Sequence, residues 1–107
     1  MLGWTEGLAV NTSGDLFVAN YGDNSVFKYT KSGVLTKVAS MPAGGTAKGL
    51  AIDTSGNLYM VDQSHGKIYK ESATTLSSGI NATEANSGLI TVATVVVGGG
   101  GQDCHGN

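Results

Sequence analysis

Charge is scarce in this chain. Asp, Glu, Lys and Arg make up 13% of its 107 residues, against roughly 25% in an average globular domain, so Ser, Thr, Asn and Gly must wet its surface. Six scattered basic residues against eight acidic ones leave a net charge of −2, which excludes the clustered basic footprint of a protein that tracks phosphate backbones. There is one cysteine, Cys104, so no disulfide can form within the chain and the disulfide-stapled class of small secreted domains is excluded. The longest apolar run, Val92 to Val97, is broken by Thr94 and ends in four glycines, far short of the ~20 residues that span a bilayer. The opening MLGWTEG lacks the basic and apolar regions of a secretory signal. The pairing of low hydrophobicity with high net charge that marks disorder is also missing.

What the chain does have is a repeat. Residues 7–30, GLAVNTSGDLFVANYGDNSVFKYT, align without a gap with residues 49–72, GLAIDTSGNLYMVDQSHGKIYKES, at an offset of 42. Gly7/Gly49, Leu8/Leu50, Ala9/Ala51, Thr12/Thr54, Ser13/Ser55, Gly14/Gly56, Leu16/Leu58 and Lys28/Lys70 are identical. Val10/Ile52, Phe17/Tyr59, Val26/Ile68 and Phe27/Tyr69 are close in shape. A third piece, Ser32-Gly33-Val34-Leu35-Thr36, returns as Ser87-Gly88-Leu89-Ile90-Thr91 at an offset of 55, so the second unit carries an insertion between Glu71 and Ser87. Its Ser, Thr, Ala and Asn content predicts an exposed loop on the outer side of the unit.

Each unit reads as four short strands. Gly7–Val10 is an apolar run expected of a strand buried on both faces. Asn11–Gly14 is a turn in which Gly14 is free to adopt positive φ. Asp15–Asn20, Val26–Tyr29 and Val34–Ala39 follow, separated by Tyr21–Asn24 and Lys31–Gly33. β-branched and aromatic content and turns every 8–12 residues favour strands, and no window carries a helical stripe. A four-stranded unit of about 42 residues is the size of one β-propeller blade, which buries its faces only by stacking on neighbours. The predicted fold class is therefore all-β: antiparallel four-stranded blades, about two to two and a half of them. Blade 1 spans 7–48 and blade 2 spans 49–97, with the inserted loop at about 71–87. Residues 98–107 form a glycine-rich exit segment.

The Gly-Leu-Ala-Val start, the turn closed by Gly14 or Gly56, the Leu16-Phe17-Val18-Ala19-Asn20 and Leu58-Tyr59-Met60-Val61-Asp62 strands, and the Val26-Phe27-Lys28 and Ile68-Tyr69-Lys70 strands together resemble the NHL repeat. The resemblance covers residues 7–40 and 49–72, and 88–93 with Gly98–Gly101 are similar to a fourth strand and its exit. Asn20 departs from the family's usual Asp, which Asp62 keeps, and Asn24-Ser25-Val26-Phe27 is less charged than the family's third strand. WD-repeat and kelch patterns fit less well. The resemblance implies a ring of about six blades, more than this length holds. The chain then belongs to a longer protein, or several copies assemble. The partners expected are accordingly further blades, in the same protein or in other copies, with a protein or glycan ligand.

Chemistry-bearing residues are few. No Gly-x-Ser-x-Gly, His-Glu-x-x-His or P-loop is present, and Gly98–Gly101 reads as a linker. Asp103-Cys104-His105 are adjacent on one strand of chain and would not converge on an ion. No metal and no cofactor are expected. Asn20 and Asp62 occupy equivalent strand ends, where an Asx side chain braces the following turn or faces a rim. His65 lies in the next turn, where unit one has Asp23. Asn20, Asp62, Tyr21 and His65 are the candidates for a ligand rim, and Trp4 is freer than Tyr59 or Tyr69, which sit at packing positions. Asn11 (Asn11-Thr12-Ser13) and Asn81 (Asn81-Ala82-Thr83) are candidates for N-glycosylation. Three functions remain open: a binding module outside the cell, a fragment of a lyase- or lactonase-like propeller enzyme, and a structural unit of a glycosylated extracellular assembly. Nucleic acid is disfavoured as a partner.

Overall fold

The computed structural model describes residues 5–20 and 23–94. Eight strands form two antiparallel sheets, each in sequential order. Sheet 1 holds β1 (Thr5–Val10), β2 (Leu16–Asn20), β3 (Ser25–Tyr29) and β4 (Leu35–Ser40). Sheet 2 holds β5 (Ala47–Ile52), β6 (Leu58–Asp62), β7 (Lys67–Glu71) and β8 (Ile90–Thr94), with a short helix α1 (Ala73–Ser78) between the last two strands.

The internal repeat is reproduced residue by residue in the pairing. Leu8 faces Val18 as Leu50 faces Met60, Phe17 faces Lys28 as Tyr59 faces Lys70, and the first strand of each sheet, β1 and β5, carries an irregularity at the same place. The first turns are built alike. Asn11 Oδ1 accepts from the backbone N–H of Ser13 (3.0 Å) and Asp15 (2.9 Å). Asp53 Oδ1 accepts from Ser55 (3.0 Å) and Asn57 (2.9 Å). Gly14 and Gly56 close these turns at φ of 89° and 88°, a region open to glycine at no steric cost.

The fourth strands correct the expected register by one residue. Thr36 lies opposite Lys28, and Ile90 lies opposite Lys70, so the structural offset is 54. Leu35, Val38 and Ala39 then match Leu89, Val92 and Ala93. The shared Ser-Gly pair suggested 55, but a one-residue slip would turn every side chain to the opposite face, and the apolar pattern overrides the turn residues.

The core lies between the sheets. Phe17, Ala19, Val26 and Ala39 from sheet 1 meet Leu58, Met60 and Tyr69 from sheet 2, all buried. The opposite faces are open. Leu8 and Val10 are 64% and 59% exposed, so the first strand is not covered on both sides as its apolar run predicted: among the described residues no third sheet lies against it.

The insertion is also more than an outer loop. Ser72 Oγ accepts from the Thr75 N–H (3.1 Å) and Gly79 ends the turn in a left-handed conformation, framing α1. The chain then runs back to sheet 1. Ala82 pairs in parallel with Ala39, donating its N–H to the Val38 carbonyl and accepting from the Ser40 N–H, both at 2.9 Å. Asn86 Oδ1 holds the return by accepting from the N–H groups of Thr83 and Gly88. A helix was not expected because six residues with one large apolar side chain, Leu76, show no periodicity; the signal lay in the caps, Ser72 and Gly79. Ser72→Ala should cost about 1 kcal/mol, read as a lower urea midpoint with an unchanged m-value.

Candidate functional site

The polar residues at the ends of the second strands make the most developed side-chain cluster. Asp62 ends β6 with its side chain fully buried. Its Oδ1 accepts from the backbone N–H groups of Thr46 (2.9 Å) and His65 (3.3 Å). Its Oδ2 lies 2.6 Å from His65 Nδ1. Thr46 Oγ1 and Ser64 Oγ are bonded at 2.5 Å beside it. One carboxylate thus ties together the approach to β5 and the turn after β6. The imidazole is held through Nδ1 and its side chain is 36% exposed.

The approach of the β4–β5 connection depends on Gly45. A Cβ there would stand 2.6 Å from Asp62 Oδ2, 2.8 Å from Met41 Cβ and 2.9 Å from the Pro42 carbonyl oxygen. Gly45→Ala should therefore push the connection off the carboxylate and destabilise the protein by roughly 1–3 kcal/mol, with a weakened Thr46 amide bond seen as faster hydrogen exchange at that position.

In sheet 1 the equivalent position carries different chemistry. Asn20 is buried at the end of β2 and donates through Nδ2 to Asp23 Oδ1 at 2.9 Å. Asp23 pairs with Lys37 at 3.2 Å. Burial pushes the Asp23 carboxyl up, but hydrogen bonds from Lys37 and Ser25 and the Lys37 charge outweigh it and hold the group below its ordinary range. Asn20 and Asp62 are each used within their own blade to brace the next turn. His65 joins Asp62 directly, and the correspondence between His65 and Asp23 read from the repeat holds. Tyr21, Trp4, Gly98–Gly101 and the Asp103-Cys104-His105 run lie outside the described residues.

The two sequons differ in setting. Asn11 is committed to its turn and also donates through Nδ2 to Asp15. Asn81 is exposed on the insertion, bonded to Ser40 Oγ at 3.0 Å. Residues missed by the sequence reading include Thr46 and Ser64, which become neighbours of Asp62 only through the β4–β5 connection, and Glu71, buried with neither carboxylate oxygen partnered. Burial pushes Glu71 from about 4.5 up to about 8. A hollow of about 400 Å³ lies under the insertion, lined by Ser40, Met41, Pro42, Thr83, Glu84 and Ala85. Among the described residues no three His, Cys, Asp or Glu side chains cluster as a metal site requires, and no helix is long and apolar enough to cross a membrane.

No protein-family model and no curated protein sequence matches the chain. Among solved structures it is similar to virginiamycin B lyase from Staphylococcus aureus, with a TM-score of 0.58 and 17% identity over 66% of this chain and 24% of that one. It is likewise similar to the PQQ-bound form of aldose sugar dehydrogenase from Streptomyces coelicolor, with a TM-score of 0.55 and 22% identity over 65% of this chain and 25% of that one. Such identities speak to fold alone. The two four-stranded sheets match propeller blades, and the chain is part of a β-propeller. It spans about a quarter of the length of each of those structures.

Proposed function

We propose that this chain is a non-catalytic binding module of the NHL-repeat type, working outside the cell as part of a larger propeller and presenting its second-strand rim to a protein or glycan. The observation that carries this reading is how the rim is spent. Asp62 uses both oxygens to hold its turn, and Asn20 and Asp23 brace the equivalent one. What remains for a partner is a hydrogen-bonding surface that includes the partly exposed His65, with Tyr21 next to Asn20 in sequence. The NHL assignment rests on the Gly-Leu-Ala-Val starts and the Asp62 strand end. The extracellular assignment rests on low charge and on Asn81 as an exposed glycan acceptor.

A glycan array and a panel of extracellular protein domains, probed with the parent chain and with His65→Ala, test the binding role. The expected result is a ligand whose affinity falls at least tenfold in H65A while circular dichroism is unchanged. Retention of full affinity by H65A would remove the rim from the reading. The compartment is checked by secretion from eukaryotic cells, where an endoglycosidase-sensitive mass shift should vanish in Asn81→Gln.

One observation favours a second reading, a fragment of a propeller enzyme: a partly exposed imidazole backed by a buried carboxylate is also the arrangement of a general base. Both similar structures are of proteins named as enzymes. Turnover by a longer form of the protein that disappears in H65A, without loss of ligand binding, would move the assignment there.

A further inference from the structure

The two open faces of this molecule are copies of the two faces already packed against each other inside it. In sheet 1, Ala9, Phe17, Ala19 and Val26 lie on the side that receives sheet 2. Their repeat equivalents in sheet 2 are Ala51, Tyr59, Val61 and Ile68, which lie on the uncovered side. In sheet 2, Leu50, Ile52, Leu58, Met60 and Tyr69 face inward. Their equivalents in sheet 1 are Leu8, Val10, Leu16, Val18 and Phe27, on the face where Leu8 and Val10 stand exposed at the β1 edge while Val18 is already buried. Each end of the molecule therefore shows the half of an interface whose other half is at the opposite end.

The close approach at the centre of that interface is prepared twice. Gly7 lies directly against β5: a Cβ there would run into the Lys48 carbonyl oxygen, with Gly49 Cα and Leu50 N each 3.2 Å away. The equivalent glycine, Gly49, has only Val61 Cγ2 at 3.7 Å. Above it lies an apolar groove of about 300 Å³ lined by Gly49, Leu50, Ala51, Tyr59, Met60, Val61 and Ile68. Of these, Gly49, Ala51, Tyr59, Val61 and Ile68 belong to the outward face, and shifted by 42 they are Gly7, Ala9, Phe17, Ala19 and Val26, the surface on which β5 is seated in sheet 1.

We propose that this groove is the docking site for strand β1 of a second copy of the chain, placed head to tail so that Leu8 and Val10 of the incoming copy take the positions that Leu50 and Ile52 hold within the chain. The occupant is a second copy because the matching face is carried by the same polypeptide and its fit to this surface type is already realised inside it. The contact is heterologous, so each copy keeps one open end until a ring closes or a polymer grows. The proposal goes beyond the binding role and does not depend on it, since neither face includes His65 or Asp62.

Analytical ultracentrifugation of the 107-residue chain at 5–200 µM tests it. The expected result is a concentration-dependent assembly of two or more copies. Gly49→Val fills the groove in a strand position with room for a side chain, and Leu8→Glu places a charge at an exposed position of the other face. Each variant alone should sediment as a folded monomer. Mixed in equal amounts, they should form a one-to-one pair, because each retains the face the other has lost. A parent that stays monomeric throughout the range overturns the proposal. So does assembly that survives both variants, or a mixture that fails to pair while both variants remain folded by circular dichroism. Loss of glycan or protein binding in H65A leaves this outcome untouched, so the two readings fail separately.

Discussion

Raising the pH from 5 to 8 is expected to weaken the fold by on the order of 3 kcal/mol, and Glu71 is the residue responsible. Its side chain is fully buried between the sheets, at the end of β7, with no partner for either oxygen. Burial raises its pKa from about 4.5 to about 8. The folded state therefore keeps a proton that the unfolded chain gives up. The stabilisation is complete below about 4.5 and is lost as pH rises through 8, at ~1.36 kcal/mol for each unit of displacement. Urea titrations at pH 5, 6, 7 and 8 should show a falling midpoint. Glu71→Gln, which cannot ionise, should flatten that series. Glu71→Leu should exceed the parent at pH 8, because an apolar side chain removes the unpartnered oxygens as well as the charge. A slope unchanged in E71Q would place the titrating group elsewhere. The repeat equivalent in sheet 1 is Tyr29, on the open face and 45% exposed, so the same strand position is harmless at one end and costly at the other.

Among the described glycines, Gly7→Ala is expected to be the most damaging, with a loss of roughly 3 kcal/mol or more. The new carbon would meet the Lys48 carbonyl oxygen and the backbone of Gly49 and Leu50. These atoms belong to a paired strand and cannot rotate away as a side-chain tip would, so the sheets must separate locally. Overpacking of a fitted core costs about 1–3 kcal/mol when side chains can adjust, and here they cannot. Thermal or urea unfolding of G7A beside Gly49→Ala makes the comparison clean. The two glycines are equivalent in sequence, yet within one chain only the first is pressed against a neighbouring sheet, so the comparison is made at a concentration low enough to keep copies apart. Equal losses in the two variants would show that strand propensity, and not the interface, is being measured.

The contrast between these glycines also marks what can be read without coordinates. The 42-residue repeat was legible because it is a repeat of packing: Leu16/Leu58 and Phe17/Tyr59 must alternate faces in the same way, and Asn11 and Asp53 must each brace a turn. Strand order followed from that alone, although β1 and β5 begin two residues before the repeated Gly7 and Gly49. Which copy of each face is covered did not follow, because burial depends on a neighbouring sheet and identical residues have different neighbours. The insertion is largely exposed as read, but its internal order was not legible, for a related reason. Its order comes from backbone pairing between Ala82 and β4 and from the caps at Ser72 and Gly79, interactions indifferent to hydrophobic pattern. At the rim, Asp62 and His65 were visible as a strand end and the turn after it. The Thr46 and Ser64 contacts became visible only when the β4–β5 connection folded over Gly45.

The return of the insertion onto β4 has a consequence during synthesis. Sheet 1 is complete in sequence by Ser40, but the Val38 carbonyl and the Ser40 N–H are met by Ala82, forty-odd residues later. Until the second half is made, sheet 1 has a bare β4 edge and no sheet on either apolar face, the state in which β-sheets recruit other chains. Translation pauses ahead of residue 82 would prolong that exposure, whereas rapid delivery of the second half seals it.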